Sequence, residues 1–208
     1  MDHICERPGE LFIVSGPSGV GKGTICRRLI EEKKDIVLSV SATTRAQREG
    51  EVEGVNYYFM DKEAFEKIIA EDGFLEYAEV FGNYYGTPRK MVEEQLSQGN
   101  DVLLEIDVQG AMKVKEVCPE GIFIFILPPN LAELRNRLEK RGTDSQEVIE
   151  KRLSLAIEEI RQMFGYDYFV VNDDLEEAVA KVHDIVSAEH ARVQDHGLEL
   201  LRIYEEEQ

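Results

Sequence analysis

The chain has 208 residues, long enough to bury a substantial core as one large domain or as one core with inserts. It carries 24 Lys and Arg against 42 Asp and Glu, a net charge of −18. That balance excludes the broad basic footprint that nucleic acid or an anionic membrane demands, so any anion site must be a local basic island.

Residues 11–14, Leu-Phe-Ile-Val, read as a short buried strand. GPSGVGKGT follows as a glycine turn, and Ile25, Leu29 and Ile30 then recur at helical spacing over residues 22–32. Strand, glycine loop and helix in that order mark a phosphate-binding loop. Its members are Gly16, Pro17, Ser18, Gly19, Val20, Gly21, Lys22, Gly23 and Thr24. Backbone N–H groups curl around an anion, the helix N-terminus adds partial positive charge, and Lys22 reaches the terminal phosphates. Gly23 stands where Ser or Thr usually follows the lysine, so the usual direct magnesium ligand is missing; GKGT loops of this kind resemble those of nucleoside monophosphate kinases, whose Mg2+ would keep more of its water.

Residues 36–40 read as a second strand, and residues 41–59 as a polar, glycine-punctuated stretch with Arg45 and Arg48 three apart. Asp61 caps a helix to about residue 71, ended by Gly73. Residues 74–81 alternate like a half-exposed strand, and GNYYGTP is a turn with a short strand. Thr87 then caps a helix with Pro88 at its first position, stopped by Gly99. A strand over residues 101–107 ends in Glu105 and Asp107, and a helix spans residues 108–117. After the most apolar strand, residues 121–127, Asn130 caps a helix to residue 141, and GTDS leads to a long helix over residues 145–164. A last strand over residues 168–171 precedes a helix from residue 175 that Gly197 breaks. Continuous apolar strands alternating with helices imply a parallel sheet covered on both faces. Residues 41–87 and the charged helical pair 131–162 interrupt that rhythm as inserts.

The blocks SGPSGVGKGT, SVSATTRAQREGEVEGVNYYF, FLEYAEVFGNYYGTP, LLEIDVQG, RLEKRGTDS and VNDD, in this order, closely resemble guanylate kinases over nearly the whole chain. The resemblance implies an α/β fold: a P-loop NTPase-type parallel sheet core flanked by helices, with a GMP-binding α+β insert and a helical lid. It divides the chain into a core of residues 1–40, 88–130 and 163–208, an insert of 41–87 and a lid of 131–162. It implies transfer of the γ-phosphoryl group of ATP to GMP, with Mg2+ accompanying ATP.

The residues suit that chemistry. Arg45 and Arg48 offer planar forks for a dianionic phosphate. Tyr57, Tyr85 and Ser41 add hydroxyls, and the resemblance gives all five to the GMP phosphate. Glu76 can accept guanine N1–H and the 2-amino group together, with Thr87 beside it, whereas adenine presents a lone pair that a carboxylate repels. Glu105 and Asp107 project from one side of a strand end. One is expected to order magnesium-bound water, Asp107 being a candidate, and the other to pair with an arginine such as Arg45; the residues do not divide these roles. Arg137, Arg141 and Arg152 are by resemblance lid arginines that neutralise the transferring phosphoryl group. Asn172, in VNDD, is expected to touch the adenine of ATP. Two departures stand out: Gln47 replaces a frequent proline, which loosens that turn, and Asn56 replaces a frequent aspartate.

Cys5, Cys26 and Cys118 lack CxxC spacing, and His3, His183, His190 and His196 show no metal-ligand spacing along the chain. The first ten residues contain no apolar signal region, and the longest apolar run, residues 122–127, is too short to span a bilayer. The expectation is a reduced, cytoplasmic ATP:GMP phosphotransferase, monomer or homodimer, without nucleic-acid or membrane partners. The rival readings are a kinase of another small phosphate ester and a non-catalytic interaction module on the same scaffold.

Overall fold

A computed structural model describes residues 9–33, 35–80, 82–140 and 145–206. In chain order these form β1 (Leu11–Ser15), α1 (Lys22–Glu32), β2 (Ile36–Leu38), β3 (Ala42–Thr43), β4 (Tyr58–Phe59), α2 (Lys62–Ala70), β5 (Phe74–Val80) and β6 (Asn83–Pro88). There follow α3 (Arg89–Ser97), β7 (Asp101–Glu105), α4 (Val108–Val117), β8 (Ile122–Leu127), α5 (Leu131–Lys140), α6 (Gln146–Arg161), a 3-10 turn (Gln162–Gly165), β9 (Tyr168–Val171), α7 (Leu175–Glu189) and α8 (Val193–Glu206).

Five strands pair in the order β2-β7-β1-β8-β9, every pair parallel. Successive side chains of β1 point to opposite faces, so the strand serves two cores. Phe12 and Val14 pack with Ile25 and Leu29 of α1 and Val182 of α7. Leu11 and Ile13 pack with Val92 of α3 and Ala111 and Val114 of α4. Strands buried on both faces need no polar alternation, which is why LFIVS and IFIFIL are apolar runs.

A second sheet has the order β4-β3-β6-β5, with β3 parallel to β4 and antiparallel pairs elsewhere. It encloses its own cluster of Ala42, Phe65 and Phe74. Phe65 stacks on Phe74 at 4.3 Å and on Tyr84 at 5.3 Å between ring centroids. Helices α5 and α6 share a further cluster of Leu134, Leu138, Ile149, Leu153 and Ala156.

Several boundaries depart from the sequence reading. The left-handed residue that ends α2 is Asp72 (φ 52°), not Gly73. Asp72 N–H donates to Ile69 O and Gly73 N–H to Ile68 O, the two bonds of a Schellman turn in which Gly73 sits one place too late for the left-handed position. Thr87 does not cap α3. It lies within β6, and Pro88 takes the cap position without a side-chain bond. Gly197 lies inside α8; the break comes earlier, at residues 190–192, where Ala191 and Arg192 N–H groups fold back to Ala188 O and Glu189 O. Asp61, Asn130 and Ser145 cap their helices as expected.

Candidate active site

The loop after β1 hangs at the carboxyl end of the central strand. Gly21 stands at the N-cap of α1 with φ 101°, and a Cβ there would come 2.5 Å from Asn172 Nδ2. Lys22 Nζ donates to the carbonyls of Gly16 (2.7 Å) and Pro17 (3.3 Å). Burial draws its pKa down, and the nearby carboxylates of Glu105, Glu159 and Asp107 pull the other way. A Cβ on Gly23 would lie 3.0 Å from the Glu105 carboxylate, so this acid occupies the room that a loop side chain would need.

Three groups from other elements fasten the loop. Asn172 Nδ2 donates to Val20 O (2.8 Å) from beneath, and Arg137 Nη1 of α5 donates to the same carbonyl (3.2 Å). Arg152 of α6 donates to Ser18 Oγ, and Glu159, one helical heptad further along, brings its carboxylate close to the Ser18 backbone.

On the second sheet, Arg45 is held by Glu51 (Nη2 to Oε1, 2.7 Å) and lies 5.4 Å from the centre of the Tyr57 ring, which meets Tyr85 edge-on at 5.9 Å. The other Glu51 oxygen accepts the Arg48 N–H at 2.7 Å. The hydrogen bond from Arg45 holds the Glu51 carboxyl below its ordinary pKa. Arg45 therefore pairs with Glu51, not with Glu105 or Asp107 as the sequence suggested. Gln47 does not loosen its turn: its amide donates to Glu51 O (2.6 Å), a bond proline could not make. Asn56 Oδ1 accepts the Val52 N–H (2.8 Å), which an aspartate would do equally.

Glu76 is 7% exposed and accepts a hydrogen bond from Thr87 Oγ1 at 2.9 Å. Burial pushes its pKa up to about 7, against the opposing Thr87 bond, with Asp107 adding to the rise. Asp107 itself caps α4, its Oδ1 accepting the Gly110 N–H at 2.8 Å.

One cleft of about 850 Å3 joins these parts. Gly16, Ser18, Gly19, Gly21, Lys22 and Gly23 form one wall, and Ser41, Arg45, Arg48, Tyr57, Glu76 and Tyr85 the other. Glu105 and Asp107 lie between them, and Arg152 and Glu159 overhang. Six candidates stand outside that lining. Pro17 and Val20 are buried and Thr24 is exposed; Thr87 sits behind Glu76; Arg137 and Asn172 act on the loop from its sides. Arg141 lies outside the described residues. Sequence reasoning missed Glu51 and Glu159. The seven-residue spacing from Arg152 put Glu159 on the same helix face; Glu51 gave no signal beyond its place in a matching block.

Comparison with known proteins agrees with this geometry. Residues 9–189 match the family model for guanylate kinase. The chain is 55% identical over 201 residues to the guanylate kinase of Caldanaerobacter subterraneus subsp. tengcongensis, covering 97% of this chain and 98% of that protein. Identity to the guanylate kinase of Clostridioides difficile is 51% over 201 residues, with the same coverage. The crystal structure of guanylate kinase from Anaplasma phagocytophilum superposes with a TM-score of 0.77 at 40% identity, over 91% of this chain and 90% of that one. A phosphate loop facing a guanidinium pair and a buried acid across one cleft, carried by a sequence this similar end to end, places the chain in the guanylate kinase family.

Proposed function

We infer that this cleft transfers the γ-phosphoryl group of ATP to GMP, giving ADP and GDP. The observation that carries the reading is Glu76: a buried carboxylate, backed by Thr87, sits across the same cavity from the phosphate loop. A carboxylate there accepts both guanine donors and leaves adenine, with its N1 lone pair, unmatched.

The loop amides and Lys22 would seat the ATP phosphates once the ammonium leaves the Gly16 and Pro17 carbonyls. Arg45 and Arg48, with Ser41, Tyr57 and Tyr85, would hold the GMP phosphate. Bringing the two anions together is chiefly a problem of position and charge. A GMP phosphate oxygen forms the new bond to the γ-phosphorus as the bond to the ADP oxygen breaks, without a covalent enzyme intermediate. Arg152 already reaches Ser18 and Arg137 the Val20 carbonyl, so residues 131–162 are suited to act as a lid and residues 41–87 as the GMP-binding insert. Arg141 is proposed as a third lid arginine. Asn172, tied beneath the loop, supports ATP by shaping the loop.

The oxygen donors Glu105 and Asp107 beside a loop without a hydroxyl after Lys22 fit a hydrated Mg2+, held through its waters. When bound with ATP, that ion neutralises charge on the β- and γ-phosphates. Among the described residues no helix is long and apolar enough to cross a membrane. A cytoplasmic role in purine nucleotide recycling, as monomer or homodimer, fits this activity.

A coupled ADP-release assay with ATP, Mg2+ and a panel of GMP, AMP, UMP and sugar phosphates tests the reading. GMP is expected to be preferred over AMP by about 10⁴ in kcat/KM; equal use of AMP would contradict it. Lys22→Ala is expected to abolish turnover with GMP still bound, and near-normal turnover would remove the loop from the mechanism.

A further inference from the structure

At the amino ends of the central strands of the main sheet, opposite the phosphate loop, three side chains distant in sequence converge. Glu10 immediately precedes β1, Asp101 opens β7 and His190 follows the last turn of α7. His190 Nε2 lies 2.7 Å from Asp101 Oδ2 and 3.5 Å from Glu10 Oε2, and one donor atom of each residue falls within 4.8 Å of the others. The Asp101 side chain is wholly buried, and those of Glu10 and His190 are largely so.

We propose that Glu10, Asp101 and His190 form a binding site for a divalent transition-metal ion of the zinc class. Carboxylate oxygens and imidazole nitrogens bind such an ion at about 2.0–2.2 Å, which sets neighbouring donors roughly 3–3.5 Å apart. The observed separations of 2.7 and 3.5 Å bracket that spacing. His190 Nε2 is buried and finds no acceptor in hydrogen-bonding geometry, although Asp101 Oδ2 is close by. The nitrogen thus approaches the carboxylates without directing a proton at either.

The surroundings hold these donors in place. Asp101 Oδ1 accepts the Glu10 N–H at 3.0 Å, which fixes the carboxylate and leaves Oδ2 turned to His190. Phe12 meets the imidazole edge-on at 6.2 Å. His190 is also the C-cap of α7, where the helix dipole favours a cation. An imidazole ligand selects against Mg2+ and Ca2+, which prefer oxygen, so the site would not compete for the ion that accompanies ATP. A bound ion would staple the end of α7 to the starts of two core strands.

The test uses the full chain, stripped with EDTA, dialysed and titrated with ZnCl2 without nucleotide. Metal analysis after equilibrium dialysis is expected to give one Zn2+ per chain held at micromolar or tighter affinity, with a rise in Tm. H190Q is expected to weaken that equivalent by about tenfold or more and to cancel the rise in Tm, while Mg2+-dependent kinase turnover stays within about twofold. Comparison with H190Q separates this site from zinc taken up by the cysteines or other histidines. E10Q, expected to weaken binding to a similar degree, decides the matter if circular dichroism shows H190Q unfolded. No uptake by the wild type, or equal uptake by a folded variant, would overturn the proposal and leave the three side chains as an ion-pair cluster.

Discussion

Glu76 shows how burial governs the charge of a side chain in the cleft. Its carboxyl titrates near 4.5 when unfolded and about 7 when folded, so the folded chain binds the extra proton between those values. Stability from this group therefore falls as pH rises from 4.5 to 7, and the whole cost, about 3 kcal/mol, is present above 7. Glu76→Gln keeps the acceptor for Thr87 Oγ1 and removes the charge. It should raise Tm at pH 8, with the gain vanishing near pH 4.5, and lower kcat/KM for GMP by about 10²-fold or more. A thermal melt series across pH checks the first effect and steady-state kinetics the second; a variant no more stable at pH 8 would contradict the assigned burial cost. In the wild type, kcat/KM for GMP is expected to fall below pH 7, because a protonated Glu76 points a donor at guanine donors. This role follows from Thr87, whose hydroxyl finds a partner eleven residues back on the neighbouring strand. Next to a proline in sequence, the same hydroxyl reads as a helix cap.

At the level of elements, the second sheet depends on Phe65, which no solvent reaches and which two aromatic rings stack against. Phe65→Ala should cost about 3–5 kcal/mol within that cluster. Since the main sheet has separate cores, the expected phenotype is a KM for GMP raised more than about tenfold with ATP binding retained, measurable by calorimetry with a non-hydrolysable analogue. Equal loss of both ligands would show that the two sheets unfold together. The turn after α2 offers a smaller test: Asp72 adopts φ 52°, a left-handed conformation that costs an ordinary residue about 1–2 kcal/mol and glycine little. Asp72→Gly should stabilise the chain by roughly 0.5 kcal/mol after the added unfolded-state entropy is counted, read from chemical denaturation. These elements also show what a sequence makes legible. Strand β1, its loop and α1 were readable because their signals lie within two dozen consecutive residues. The break before α8 was not, because His190 is positioned by Asp101 on a distant strand while Gly197 merely tolerates a helix. Glu51 escaped notice for a similar reason: its task is to grip Arg45 and Arg48 across a turn whose shape the residues do not announce.

At the scale of the molecule, apolar packing among the described residues is divided among four clusters: one on each face of the main sheet, one beneath the second sheet and one between α5 and α6. Bodies with their own cores can move as units across the cleft. Small-angle scattering should therefore show a smaller radius of gyration when GMP and a non-hydrolysable ATP analogue are both present; an unchanged profile would count against closure. Parallel pairing has another consequence, which belongs to the making of the chain. Strand β1 leaves the ribosome well before its neighbours, which pair with it at Val102 and Ile122, are synthesised. Residues 42–88 can close their own sheet in the meantime. Until β7 and β8 arrive, the nascent chain carries a bare hydrophobic ribbon, and that interval is when it most needs a chaperone's shelter.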